Sequence, residues 1–137
     1  MGDICRTVKF FMENGPMMVQ VGVQVFVQVP SALENKEFKD LLAAIKEVGR
    51  YNLFNGEKLA DWLLKNAKHF RFIRFGREYS PVIYITPYFH IRGHSKKELA
   101  RQRKKAKAFV NRAERELKAD EFWSVNSKTL EFRAWWD

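Results

Sequence analysis

Valine stands at every second position from Val19 to Val29, with Gln20, Gly22, Gln24, Phe26 and Gln28 between. A period of two sustained over that run predicts a long β-strand with one buried face. Pro30-Ser31 closes it, and Ser31 with Glu34 has the spacing of a capping box. A helix is therefore expected over 31–48, with Phe38, Leu41, Leu42, Ile45 and Val48 as its apolar stripe and Gly49 as its stop.

Asn55-Gly56 predicts the start of a second, shorter helix that turns Leu59, Trp62, Leu63 and Ala67 inward. Residues 69–75 and 82–91 read as two strands around a loop at 76–81. Ser95 and Glu98 form another capping box, opening a long helix to about Lys118. Residues 122–125 and 129–136 predict a hairpin around Asn126-Ser127. A further strand over 4–12, closed by the turn Glu13-Asn14-Gly15-Pro16, precedes the valine strand.

Setting aside the strand at 4–12 and the second helix, and counting the last hairpin as one strand, leaves the order βαββαβ. That is the ferredoxin-like order. The expected fold is thus α+β: an antiparallel sheet with helices on one face, an extra N-terminal strand and a C-terminal hairpin. No repeat or linker divides the chain, so residues 1–137 are expected to form a single domain. Pro87 adds a condition. It has no N–H to give to a ladder, so its strand must bulge there or lie at an edge.

Charge sharpens the picture. The chain carries 25 Lys and Arg against 16 Asp and Glu, a formal charge of +9. Ten of those cations and only three Glu fall between residues 94 and 118, which gives this one segment +7. On a helical wheel Leu99, Ala106, Phe109, Val110, Ala113 and Leu117 share one side. Lys97, Arg101, Lys104, Lys105, Arg112 and Arg115 share the opposite one. A solvated helix face needs no other explanation where Glu is interspersed to pair its cations, and here too few Glu intervene. Such a ridge attracts phosphates by Coulomb force and counterion release, so the expected partner is nucleic acid, RNA or DNA.

Alternation also assigns faces to the strands. With Ile83, Ile85, Phe89 and Ile91 inward, Tyr84, Thr86, Tyr88 and His90 face away. Burying Phe70 and Phe72 leaves Arg71 out, and burying Leu130, Phe132, Ala134 and Trp136 leaves Arg133 and Trp135 out. An open sheet face bearing Tyr84, Tyr88, Arg71 and Trp135 would stack unpaired bases, or form a homodimer or protein-docking surface. In strand order alone it resembles the RNA recognition motif, whose basic-Gly-aromatic signature is missing from residues 81–89.

Other chemistry is thinly represented. His90 and His94, with Arg92 between, would serve as the acid and base of a metal-independent endoribonuclease. They equally suit a strand-to-helix corner. Glu37-Phe38-Lys39 has a nuclease-like Glu-x-Lys spacing but sits on a helix beside a core Phe. Neither a Walker loop nor a Gly-x-Gly-x-x-Gly or Gly-x-Ser-x-Gly motif occurs, and no cofactor or metal is expected. The lone Cys5 excludes an internal disulfide. The longest apolar stretch, 16–29, is interrupted by three Gln, so no membrane span is expected, and without an export pattern a cytoplasmic location is. Three functions follow, in order: a non-catalytic nucleic-acid-binding protein, an adaptor or inhibitor that meets an acidic protein surface, and the endoribonuclease.

Overall fold

The computed structural model describes residues 18–26, 36–89 and 95–137. Along them run β1 (Met18–Phe26), α1 (Lys36–Val48), β2 (Arg50–Tyr51), β3 (Phe54–Asn55) and α2 (Gly56–Lys65). A 3-10 turn, Ala67–His69, leads to β4 (Phe70–Glu78) and β5 (Ser80–Pro87), then α3 (Lys96–Leu117), β6 (Glu121–Asn126) and β7 (Glu131–Trp135). The strand expected at 4–12, its turn, Cys5 and the Ser31–Glu34 capping box lie outside the described residues.

Local chemistry accounts for three of the helix ends. Asn55 caps α2, its side chain accepting from the Lys58 N–H at 3.1 Å, and Ser95 caps α3 by accepting from the Glu98 N–H at 3.2 Å. Gly49 ends α1 with φ +73°, a left-handed conformation suited to glycine. Gly56 answers a different constraint. A Cβ there would lie 2.2 Å from the Ile45 carbonyl oxygen, while its own N–H donates to Gly49 O at 2.8 Å. The α1–α2 corner is thereby closed around the two-residue ribbon β2–β3, which no periodicity in so short a segment could announce.

The main sheet runs β1-β4-β5-β7-β6, and every neighbouring pair is antiparallel. The order departs from the ferredoxin-like one, where a split βαβ unit sets another strand between the two that its helix joins, whereas here β1 and β4 are neighbours. The second helix set aside in that reduction, and the last hairpin counted there as one strand, are the cause. One crossover helix returns the chain parallel to its first strand, whereas two helices, α1 and α2, return it reversed, so β4 pairs antiparallel with β1. Likewise β6 takes the direction a single strand after α3 would have had, and β7 turns back to pair with β5.

Two further expectations change. Residues 76–81 are not a loop: the strands continue through Gly76 and Pro81 and turn at Tyr79 alone, with φ +65°. In β4 the register shifts between Phe70 and Phe72, so Phe72 pairs with Thr86 and leaves the core face while Ile73 enters it. Pro87 pairs with Phe70 on the far side of that irregularity, beyond the stretch Val82–Ile85 that β7 covers. Its missing N–H therefore costs no inner ladder bond.

Ile73, Phe75, Ile83, Ile85, Phe132 and Ala134 form the sheet's core face. Phe38, Leu41 and Ile45 of α1, Leu59 and Leu63 of α2, and Phe109, Ala113 and Leu117 of α3 close over it in one cluster. Phe38 meets Phe70 edge-on at 6.1 Å, and Phe109 meets Phe132 edge-on at 6.3 Å. Among the described residues, no helix is long and apolar enough to cross a membrane.

Candidate nucleic-acid interface

The apolar stripe of α3 fixes which way its charges point. Ala106, Phe109, Ala113 and Leu117 are buried, so Lys97, Arg101, Lys104, Lys105 and Arg115 stand exposed on the other side. The cations are not equivalent. Arg101 is paired with Glu98 one turn earlier, its Nε donating at 2.9 Å, and that carboxylate holds its pKa above the ordinary guanidinium value. Arg112 lies at the flank, half-buried. It donates to Glu116 at 3.2 Å and to Asn66 at 2.8 Å, and sits 5.6 Å over the Phe109 ring. Arg112 thus ties α3 to the end of α2. Arg103 similarly donates to the carbonyls of Ser127 and Lys128, clamping the β6–β7 turn. Lys97, Lys104, Lys105 and Arg115 have no ion pair among the described residues.

Behind the sheet lies a second constellation. The registers place Arg74, Tyr84, Arg133 and Trp123 in one row across β4, β5, β7 and β6. Arg74 lies 4.3 Å over the Tyr84 ring and Arg133 lies 4.3 Å over Trp123, so cations and rings alternate. Beneath them Glu78 is buried and accepts from Arg133 at 2.9 and 3.0 Å and from the Tyr84 hydroxyl. Arg133 also reaches Glu121 at 3.1 Å, and Arg74 pairs with Glu131 at 3.6 Å. The Trp135 indole donates to the Glu78 carbonyl at 2.7 Å. Burial works against the charge of Arg133, but Glu78, Glu121 and Tyr84 outweigh it and hold its pKa above the ordinary value. Burial, aided by Glu78, raises the Tyr84 phenol.

This face is not the open surface that alternation predicts. Val82, Thr86, Glu78 and Arg133 are buried on it, and Trp123, 49% exposed, is its most prominent ring. Tyr84 and Trp135 are together on it but committed to Glu78. Arg71 sits half-buried in the β4 irregularity, and Tyr88 lies past the end of β5, its N–H on His69 O at 2.9 Å. Single-strand alternation could not find Arg74, Glu78 and Trp123, because the row exists only once four strands are in register.

His90, Arg92 and His94 lie outside the described residues. His69 is described: it stacks on Phe109 at 5.2 Å, and burial together with Arg112 and Lys68 lowers its pKa. Among the described residues no group of three or more His, Cys, Asp or Glu is placed to hold a metal ion. No known protein family, curated protein or solved structure matches the chain.

Proposed function

We propose that this protein binds nucleic acid through the outward face of α3, by contacts to phosphate. The observation that carries this is the division of labour among the helix cations. Glu98 and Glu116 are taken by Arg101 and Arg112, leaving Lys97, Lys104, Lys105 and Arg115 exposed and without an anionic partner among the described residues. Cations left so close together repel one another, and a polyanion relieves that repulsion while releasing its own counterions. The helix has 22 residues and so spans about 33 Å, room for several successive phosphates. Tyr84 and Trp135 belong to the sheet's other face, away from α3, and Arg71 and Tyr88 lie apart from both.

The test is a salt titration of binding to single-stranded and duplex oligonucleotides. Each phosphate contact contributes about −0.7 to −0.9 to the slope of log K against log salt, so the Lys104→Glu/Lys105→Glu variant is expected to flatten it by about 1.4–1.8. These two lysines are chosen because, unlike Arg101 and Arg112, they hold no ion pair among the described residues. An unchanged slope and affinity in the double variant would make the ridge a solvated surface and nothing more.

A further inference from the structure

A cleft of about 540 Å³ opens where the C-terminal end of α3 meets α2 and the β2–β3 ribbon. Its volume falls in the range of small-molecule sites, about 300–1,000 Å³. Arg50, Lys58, Lys65 and Lys118 line it, all exposed and none ion-paired among the described residues. Two carboxylates line it as well, Asp61 and Glu116, but Glu116 already accepts from Arg112 and from the Trp62 indole at 2.8 Å. The cleft is therefore cationic.

Its walls also offer apolar surface in a fixed position. Trp62 is held by the bond to Glu116 and by stacking on Phe109 at 5.8 Å, so its contribution to the cleft is rigid before any ligand arrives. Leu53, 72% exposed at the tip of β2–β3, is the most exposed large hydrophobic side chain among the described residues and stands at the same opening. A fixed indole, an unsatisfied leucine and a set of unpaired cations together suit a ligand that is flat and apolar at one end and anionic at the other.

We infer that this cleft binds a single nucleotide unit, its phosphate drawn to Lys58, Lys65 and Lys118 and its base to Trp62 and Leu53. Lys118 follows Arg115 by one turn, so the cleft continues the free ridge of α3. The source of that unit is then the bound strand itself, held along α3 with one nucleotide seated in the cleft. This last step rests on the nucleic-acid role proposed for α3, whereas the cleft's chemistry does not.

The experiment uses AMP and a short oligoadenylate, with amide chemical shifts and binding constants read for wild type, Lys58→Glu/Lys65→Glu and Lys104→Glu/Lys105→Glu. AMP is expected to shift amides within 58–65 and 116–118, and the cleft variant to weaken AMP and oligoadenylate by about tenfold each. The ridge variant is expected to weaken oligoadenylate only. If the ridge variant lowers oligoadenylate binding while the cleft variant binds both probes as wild type does, the cleft inference falls and the α3 role stands. If AMP shifts the cleft but the ridge variant leaves oligoadenylate unaffected, the strand is overturned as the source and a free nucleotide remains. If polyglutamate shifts the same amides as strongly as AMP, recognition is of acidic peptide and the nucleotide assignment is wrong.

Discussion

Replacing Arg133 by Met removes the guanidinium that satisfies Glu78, a carboxylate with only 8% of its side chain exposed. Arg133 is itself 9% exposed and makes two bonds to Glu78 and a third to Glu121. In the variant the Glu78 carboxylate keeps the Tyr84 hydroxyl but loses its counter-charge. Stranding one member of a buried pair costs about 3–5 kcal/mol. Each kcal/mol moves the Tm of a domain this size by about 3–5 °C, so a fall of roughly 10–25 °C is expected. The reverse change is milder. In Glu78→Gln the shape and one acceptor remain, and Arg133 still has Glu121, whose side chain is 42% exposed, so about 1–3 kcal/mol is expected. Urea unfolding at neutral pH measures both, and the double variant closes the cycle. A coupling above about 1.5 kcal/mol is expected for residues sharing one network. Should Arg133→Met cost under about 1 kcal/mol with unchanged m-value, the pair is not buried in the sense that matters, and the stabilising role assigned to this network is wrong.

Gly56→Ala forces a methyl to within 2.2 Å of the Ile45 carbonyl oxygen, so α1 and α2 must separate. A loss of about 1–3 kcal/mol is expected, read as a lower Tm, and an unchanged Tm would show that the corner yields freely. His69 sets a pH dependence. Its folded pKa lies below the 6.5 of the unfolded chain, so below that pH the unfolded state takes up the proton first and stability falls. The loss is fully developed once pH has dropped through the lowered folded value. His69→Phe, which keeps a ring on Phe109, is expected to flatten urea midpoints between pH 7 and pH 5, and an identical pH profile would remove His69 as the cause.

What the sequence made legible was whatever a single segment encodes by itself. The Ser95–Glu98 and Asn55-Gly56 starts, the Gly49 stop, and the inward Ile83, Ile85, Phe132 and Ala134 stand as their local patterns require. What needed two segments was not legible. Strand order depended on how many helices separate β1 from β4, and the pattern that made α2 visible did not say that it would reverse the chain. The 76–81 stretch reads as a loop from Gly76 and Pro81, yet Gly76 fits within the ladder opposite Gly22 and Val82. The shift between Phe70 and Phe72 altered the phase of β4, which is why Arg74 and not Arg71 joins Tyr84. On α3 the wheel placed six cations together, but only packing against Asn66 and Glu116 could distinguish Arg112 from Lys104.

The turn at Tyr79 has a consequence for how the molecule assembles. A hairpin closed by one residue joins positions adjacent in sequence, so β4 and β5 lose little chain entropy in pairing and can do so in about 1–10 μs. Both are interior strands, and Ile73, Phe75, Ile83 and Ile85 supply four of the core's side chains before any distant segment arrives. β1 joins only after the intervening chain with α1 and α2 has closed, and β7 only after α3 has crossed over. Defects in the central hairpin are therefore expected to slow folding, and defects along β1 to hasten unfolding. The strand with the clearest sequence signature is thus among the late arrivals, since regular alternation advertises a strand without bringing its partner near.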